Sequence, residues 1–284
     1  IMIKKNKKFV PILVLDFGSQ TTQLILRRIR DLGVYCEVTS HHNIIKKIEE
    51  FQPRGIIFSG SPSSAFDKFS PKVDSKVFKA KIPILGICYG MQMLCVQLKG
   101  KVKKTRKREF GKAHIKLLNK SPIFKGIIKP NSSTQVWMSH GDEVVKVPAG
   151  FDVIARSDNN IAAMSHKKNK IYGVQFHPEV IHTLKGKQLI KNFILDICKI
   201  KREWKINNFL KEQLNVIKNK VEKNKVICGL SGGVDSSVVA ALINKAIGNQ
   251  LTCIFVDHGL LRKGEEKEVL LNFKKYTDCK IIYV

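Results

Sequence analysis

The sequence lacks any apolar run that approaches the ~18 residues of a membrane-spanning helix. Residues 1–8 also lack the apolar core of a secretory signal. Seven cysteines are present, but their number is odd and no C-x-x-C pair occurs. These spacings argue against a disulfide framework and against a zinc site. Together the absences favour a reduced, cytoplasmic protein with no membrane partner.

Acidic residues are scarce beside basic ones, since 23 Asp and Glu stand against 51 Lys and Arg and the net charge is +28. A basic surface can attract nucleic acid. The excess is mostly lysine spread along the chain, without an RNP-type aromatic motif or a helix-turn-helix pattern. We therefore expect solvated lysine-rich faces and no nucleic-acid partner. The densest basic patch, residues 99–108, is predicted to be an exposed β-hairpin and is the best candidate for an anion-binding surface.

Short apolar runs alternate with amphipathic segments at the start of the chain, which is typical of a parallel sheet covered by helices on both faces. The predicted strands are 10–15, 34–39, 55–59 and 82–87, and the predicted helices are 19–32, 43–51 and 89–98. Between residues 101 and 174 the runs are short and strand-like, which predicts antiparallel strands appended to the sheet. A strand over 171–176 and a helix over 184–198 then complete a doubly wound, mixed α/β domain at residues 9–200.

A second strand–helix alternation begins at Lys225, after a polar, lysine-rich helical segment at 201–224 that we interpret as a linker. The predicted strands are 226–230, 251–256 and 281–284, and the predicted helices are 236–247 and 263–276. This order is typical of a Rossmann-like parallel sheet. Because the sequence stops inside the third strand, we expect residues 225–284 to be the first portion of a truncated domain.

Cys88 lies in a Gly-Ile-Cys-Tyr-Gly segment, residues 86–90, between a predicted strand and a predicted helix. The two glycines permit the sharp turn of a nucleophile elbow, of which this segment is the thiol counterpart. The amino terminus of the following helix favours the thiolate, which is the nucleophilic form of cysteine. The alternative is a buried structural cysteine, which an isolated G-x-C-x-G segment would favour.

His177 and Glu179 lie at the end of another predicted strand, downstream of Cys88. A histidine at a strand terminus can reach the same sheet edge as the cysteine. A carboxylate two residues further on can hydrogen-bond the imidazole and fix its tautomer. Nucleophile, base and orienting group are then all present, which favours a catalytic role over three separate structural ones.

Residues 86–92 (Gly-Ile-Cys-Tyr-Gly-Met-Gln) and 173–179 (Gly-Val-Gln-Phe-His-Pro-Glu) resemble the class I, or triad, glutamine amidotransferases. The resemblance implies that Cys88 attacks the side-chain amide of glutamine and that ammonia leaves before the thioester is hydrolysed. It also implies that His177 is the general base and then the acid, and that Glu179 orients its ring.

The same resemblance implies an oxyanion hole and glutamine-binding residues at Gly60, Tyr89 and Gln92. Backbone N–H groups would meet the charge that develops on the amide oxygen. Two positions depart from the family pattern. Ser61 stands where the family usually has a second glycine, and Thr21 stands where it has a tyrosine that could shape the glutamine pocket.

A glycine- and serine-rich loop follows the strand predicted at 226–230 and consists of Ser231, Gly232, Gly233, Val234, Asp235, Ser236 and Ser237. Consecutive glycines allow backbone N–H groups to approach an anion, and the serine hydroxyls add donors. The loop has no Gly-Lys-Ser/Thr ending, which excludes an ordinary P-loop. A carboxylate beside phosphates requires a cation, so the loop implies Mg²⁺ at Asp235.

This loop resembles the pyrophosphate loop of the N-type ATP pyrophosphatases, which implies that all seven of its residues bind ATP. Asp257, within residues 255–262, is expected from the same resemblance to help hold the nucleotide. A triad amidotransferase ahead of such a loop, together with residues 108–111 and 136–142, resembles the family of glutamine-hydrolysing GMP synthetases.

The resemblance implies a ligase that uses ATP and Mg²⁺, has no organic prosthetic group, and acts on glutamine, XMP and ATP. XMP would be adenylated, and ammonia from glutamine would displace AMP. The family continues into the rest of the pyrophosphatase domain and a carboxyl-terminal domain that helps to bind XMP and forms a homodimer. We therefore expect this chain alone to be competent only as a glutaminase. Two alternatives stay open, namely a glutaminase module that serves another synthetase and an inactive basic binding protein.

Overall fold

The computed structural model describes residues 11–67, 69–129, 132–158, 160–257, 259 and 261–284. The chain divides into two compact units, Ile1–Trp204 and Lys205–Val284. No described helix is both long enough and apolar enough to span a bilayer.

The described part of the first unit contains nine strands: β1 (Ile12–Asp16), β2 (Cys36–Ser40), β3 (Gly55–Phe58), β4 (Ile84–Ile87), β5 (Lys101–Leu117), β6 (Ser133–Lys146), β7 (Phe151–Ser157), β8 (Asn160–His166) and β9 (Ile171–Val174). They form one sheet in the order β2-β1-β3-β4-β9-β8-β7-β5-β6. The first five strands in this order are parallel. The remaining strands are joined by antiparallel pairing, and β8 also pairs antiparallel with β9. The predicted parallel sheet with appended antiparallel strands is thus confirmed.

Helices cover both faces of the parallel part of this sheet. They are α1 (Thr22–Asp31), α2 (Ile44–Phe51), α3 (Lys76–Lys79), α4 (Tyr89–Gln97) and α5 (Gly186–Lys191), with short 3₁₀ turns at His41–Asn43 and Pro122–Phe124. Alternate residues of β1 enter different cores, because Ile12 packs with α1 and α5 while Leu13 packs with α2 and α4. This alternation confirms the doubly wound architecture and places the ends of several strands at one common edge.

The helix predicted over 184–198 is not regular. α5 is followed by a π-helical segment, Asn192–Ile197, in which the i→i+4 pattern is interrupted. Asn192 is 1% exposed, and its Nδ2 donates to the carbonyls of Ile123 (3.0 Å) and Lys125 (2.8 Å). Apolar periodicity carries no sign of this buried amide, since only the tertiary fold supplies its two acceptors.

The described part of the second unit contains α6 (Ile206–Val221), β10 (Val226–Leu230), α7 (Val234–Ile247), β11 (Leu251–Phe255), α8 (Glu265–Tyr276) and β12 (Lys280–Tyr283). The three strands are parallel in the order β10-β11-β12. This parallel order is that of the predicted Rossmann-like sheet. Ile217 and Val221 of α6 pack against its apolar cluster, so the carboxyl-terminal half of the segment interpreted as a linker contributes to this core.

Candidate active site

Cys88 occupies a sharp turn between β4 and α4. Its backbone has φ +52° and ψ −108°, a conformation that side-chain-bearing residues rarely adopt. The flanking glycines are required by close packing. A Cβ on Gly86 would lie 2.7 Å from the Gly90 carbonyl carbon, and one on Gly90 would lie 2.6 Å from the carbonyl oxygen of Phe58. The predicted elbow is therefore present, with its thiol held at the sheet edge.

The Cys88 thiol is in contact with two other elements. Its Sγ–H donates to the Ser139 carbonyl on β6 at 3.5 Å. Gln175 Nε2 lies 3.7 Å from the sulfur. Cys88 is 5% exposed, and that small exposed area faces a cavity of about 280 Å³ whose lining also includes His177 and Trp137. The nucleophile is thus almost buried yet open to a small substrate.

His177 follows β9 and lies between the two predicted partners, Cys88 and Glu179. Its Nδ1 lies 2.7 Å from Oε1 of Glu179, a carboxylate that is fully buried. The His177 ring and the Cys88 thiol line the same cavity, and Cys88 is close enough to act on the pKa of His177. The structure therefore brings Cys88, His177 and Glu179 together, as the sequence predicted.

The backbone of His177 is also held by hydrogen bonds, at its N–H and at its carbonyl. Its N–H donates to the Trp137 carbonyl at 3.0 Å, and its carbonyl accepts from Thr183 Oγ1 at 2.6 Å. Burial alone lowers the pKa of His177. The hydrogen bonds and charges of Cys88 and Glu179 outweigh that effect and raise the pKa to about 10. At neutral pH His177 is therefore protonated on both ring nitrogens, and its ring lies between the Cys88 sulfur and the Glu179 carboxylate.

The predicted oxyanion residues lie beside this row. A Cβ on Gly60 would meet Cε1 of His177 at 3.3 Å, so this turn borders the imidazole closely. Tyr89 is the first residue of α4, where N–H groups have no acceptor within the helix. Gln92 is buried, and its Nε2 donates to the Asp142 carbonyl (2.8 Å) and to Gln175 Oε1 (3.3 Å). Its amide nitrogen is therefore turned toward the residues that support the thiol.

Sequence reasoning missed three residues that hold the site, namely Ser139, Gln175 and Thr183. Gln175 precedes His177 by two positions, and the period of a strand would have placed it on the same face. Ser139 and Thr183 act through a backbone carbonyl and a short hydroxyl. Neither residue carries a sequence signal of such a contact.

The glycine- and serine-rich loop of the second unit joins β10 to α7. Gly232 has φ +78°, and a Cβ there would lie 2.9 Å from Val269 Cγ2, so both conformation and space require glycine. Ser236 Oγ accepts from the Ser231 N–H at 3.2 Å and lies 3.0 Å from Ser231 Oγ. Ser237 Oγ donates to the Gly233 carbonyl at 2.9 Å. The loop is therefore held in shape by hydrogen bonds among its own residues.

Asp257 lies at the same edge of this sheet, just beyond the end of β11. Its Oδ1 accepts from the Gly259 N–H (2.8 Å), and its Oδ2 accepts from the Tyr283 hydroxyl (3.0 Å). β10 and β11 are neighbours, so the loop and Asp257 share one strand edge, where ligands of such sheets bind. Asp235 is exposed in the first turn of α7.

No group of three or more metal-binding side chains occurs among the described residues. A Mg²⁺ ion at Asp235 would therefore need oxygen ligands from phosphates and water, which is how Mg²⁺ is usually held beside nucleotides. The donor set is compatible with Mg²⁺ bound together with a nucleotide.

Two protein families match the chain. Glutamine amidotransferase class-I matches residues 13–197, and NAD synthase matches residues 204–269. GMP synthase [glutamine-hydrolyzing] of Caldicellulosiruptor saccharolyticus is 52% identical over 274 residues, which are 96% of this chain and 53% of that protein. The protein of the same name from Bartonella henselae is 49% identical, with the same shares covered. The chain thus spans about half the length of the curated relatives it matches.

A solved structure agrees with the first family. The crystal structure of a Thermoplasma acidophilum protein named as a GMP synthase subunit superposes with a TM-score of 0.57 at 29% identity, over 67% of this chain and 94% of that one. The family match covers more than half of the chain and includes Cys88, His177 and Glu179. The chain belongs to the class I glutamine amidotransferase family.

Proposed function

We propose that the first unit hydrolyses glutamine and that the ammonia serves the synthesis of GMP. The observation that carries the first part is the placement of Cys88 and His177 on one cavity of about 280 Å³, with Glu179 hydrogen-bonded to His177. A strained elbow, a histidine and a fully buried carboxylate in one row are the parts that nucleophilic acyl transfer requires.

In the proposed reaction the thiol proton of Cys88 passes to His177 before the attack, and the sulfur then attacks the side-chain amide carbon of glutamine as the thiolate. Because the pKa of His177 is raised to about 10, the imidazole keeps that proton until it is needed by the leaving nitrogen. Ammonia then departs and a thioester remains. Water, deprotonated by His177, hydrolyses the thioester to glutamate, and the proton returns to the sulfur. Glu179 stabilises the imidazolium through both half-reactions.

The oxyanion of each tetrahedral intermediate is assigned to backbone N–H groups of the Gly60 turn and of Tyr89. Both segments border the reacting groups, since Gly60 packs on the His177 ring and Tyr89 follows the nucleophile. Preorganised donors of this kind stabilise developing charge without rearrangement. Gln92 is assigned an indirect part in holding glutamine, through its contact with Gln175 beside the sulfur.

The second unit is proposed to bind ATP at residues 231–237 with Asp257, and Mg²⁺ at Asp235. The position of the loop at the start of α7 and its resemblance to a pyrophosphate loop support this assignment. The backbone N–H groups and serine hydroxyls would hold phosphate oxygens, and Mg²⁺ would neutralise their charge when bound. We also propose residues 9–200, 201–224 and 225–284 as amidotransferase domain, linker and first portion of the pyrophosphatase domain.

The complete reaction is proposed from the relatives, whose printed names are GMP synthase [glutamine-hydrolyzing]. XMP would be adenylated by ATP, and ammonia would displace AMP to give GMP. These substrates and the reduced state of all seven cysteines are in keeping with a cytoplasmic enzyme.

Ammonia release from glutamine by this chain tests the first part directly. We expect wild-type protein to release ammonia and Cys88→Ala to lose at least about 10⁴-fold in rate, because the nucleophile is absent. Cys95→Ala is the matched control, since that thiol is buried away from the cavity and its pKa is raised by burial to about 12. Equal activity of wild type and Cys88→Ala would refute the assignment.

The synthetase part is tested by XMP-dependent exchange of pyrophosphate into ATP, in a protein of the relatives' full length that contains this chain. We expect Cys88→Ala to spare this exchange and the use of added ammonia. Loss of both activities together in a folded Cys88→Ala protein would contradict the separate roles of the two sites.

A further inference from the structure

One strand, β6, is hydrogen-bonded to both reacting residues. The Trp137 carbonyl accepts the His177 N–H at 3.0 Å, and the Ser139 carbonyl accepts the Cys88 thiol at 3.5 Å. The two residues also line the cavity. The position of β6 along its own axis therefore sets the spacing of nucleophile, base and pocket wall.

The regular pairing of β6 with β5 runs from Ser133 to His140 and ends beside the site. β6 is the last strand in the sheet order, and its register with β5 shifts between Lys104 and Glu109. An irregular pair at a sheet edge is where strands slip most readily. The first regular pair beyond the shift is Glu109 with His140, and His140 directly follows Ser139.

Glu109 and His140 also meet through their side chains. His140 Nε2 lies 3.3 Å from Glu109 Oε2, and the imidazole is almost wholly buried. Glu109 Oε1 accepts from Asn160 Nδ2 at 2.7 Å, which extends the connection from β6 through β5 to β8. Burial lowers the pKa of His140, against the opposing influence of Glu109 and Glu143. The contact is thus a close approach of a buried imidazole nitrogen to a buried carboxylate oxygen, without the alignment of a hydrogen bond.

We propose that Glu109 and His140 are positioning residues for glutamine hydrolysis. Their contact fixes β6 beside the register shift and so holds the Ser139 and Trp137 carbonyls against Cys88 and His177. A buried polar pair adds little stability beyond that of apolar side chains of similar volume, but it specifies one register. The kinetic consequence rests on the proposed glutaminase function, whereas the effect on β6 does not.

Glu109→Ala and Glu109→Gln in the full chain test the kinetic consequence. We expect Glu109→Ala to lower kcat/KM for glutamine about ten- to a hundredfold, mainly through a higher KM, because the pocket wall moves. Glu109→Gln should recover most of this loss, since its amide keeps the side-chain volume beside His140 and its oxygen can still accept from Asn160 Nδ2. The control is Lys103→Gln, which removes the pair of exposed Lys103 with Glu143 (3.1 Å) across the same two strands and should stay within about twofold of wild type.

Amide hydrogen exchange over residues 137–142 tests the position of β6 without glutamine. We expect faster exchange in Glu109→Ala and His140→Ala, with no further increase in the double variant. Asn160→Ala, which removes only the outer contact, should show a smaller increase and serves if His140→Ala does not fold. Unchanged exchange in folded Glu109→Ala would overturn the proposal, as would a Glu109→Gln variant as impaired as Glu109→Ala. Wild-type protein that releases no ammonia would refute the glutaminase function, and the exchange data would still decide this inference.

Discussion

The two candidate sites differ in what holds their polar groups. Cys88, His177 and Glu179 are 5%, 7% and 0% exposed, and each is in contact with a residue on another segment of the chain. Ser231 and Asp235 are exposed, and the serines of their loop bond mostly to one another. A site built by distant contacts is rigid before substrate arrives but depends on the whole domain. A site built by local contacts follows from its own short sequence.

The largest difference between the two units is expected when a glycine is replaced by alanine. Gly90→Ala puts a Cβ 2.6 Å from the Phe58 carbonyl oxygen, and a backbone atom of a buried strand cannot move aside as the end of a flexible side chain can. We expect a loss of about 3 kcal/mol in the stability of the first unit, together with loss of ammonia release. Gly229→Ala in β10 is the control, since its Cβ would meet nothing within 4 Å. Urea unfolding of both variants measures the difference, and equal stabilities would contradict the packing argument.

The next largest effect is expected from the buried carboxylate. Glu179→Gln keeps the shape of the side chain but removes the charge 2.7 Å from His177 Nδ1. We expect the pKa of His177 to fall below about 10, because one of its two stabilising partners becomes neutral, and glutamine hydrolysis to fall about a hundredfold or more.

Titration of ¹⁵N-labelled histidine by NMR measures this pKa. Glu50→Gln is the control, since Glu50 forms an exposed pair with Lys47 outside the cavity lining. An unchanged His177 titration in Glu179→Gln would show that the carboxylate does not govern the imidazole.

Sequence patterns were sufficient where the chemistry is local. Glycines around Cys88 predicted the elbow, and strand–helix alternation predicted the sheet edge that gathers the triad. The sequence could not show that β6 lies against the thiol, because Ser139 contacts Cys88 through a carbonyl that every residue carries. The same limit explains the irregular helix at Asn192, whose acceptors come from a segment about seventy residues away. Backbone contacts between distant segments leave no residue-type signal.

The pH dependence of stability should also differ between the two units. The pKa of His177 is raised from about 6.5 to about 10. The associated stability is therefore fully present below pH 6.5 and is lost as pH rises through 10. We expect the first unit to lose on the order of a few kcal/mol between these limits. Both tryptophans lie in this unit, so urea unfolding followed by tryptophan fluorescence measures it, and Cys88→Ala should flatten the profile.

A substitution in the exposed loop should have the smallest effect on stability. Its effect on ATP binding should be larger. Ser236→Ala removes the acceptor of the Ser231 N–H and the contact with Ser231 Oγ. The freed groups reach water, so the cost in stability should stay below about 1 kcal/mol. ATP affinity, measured by calorimetry with Mg²⁺ present, should fall about tenfold if the hydroxyl holds a phosphate oxygen. Val238→Ala, an exposed change on the same helix, should leave affinity unchanged. Unaltered binding by Ser236→Ala would mean that the loop only resembles a phosphate site, whereas weaker binding without lost stability is what a locally built site predicts.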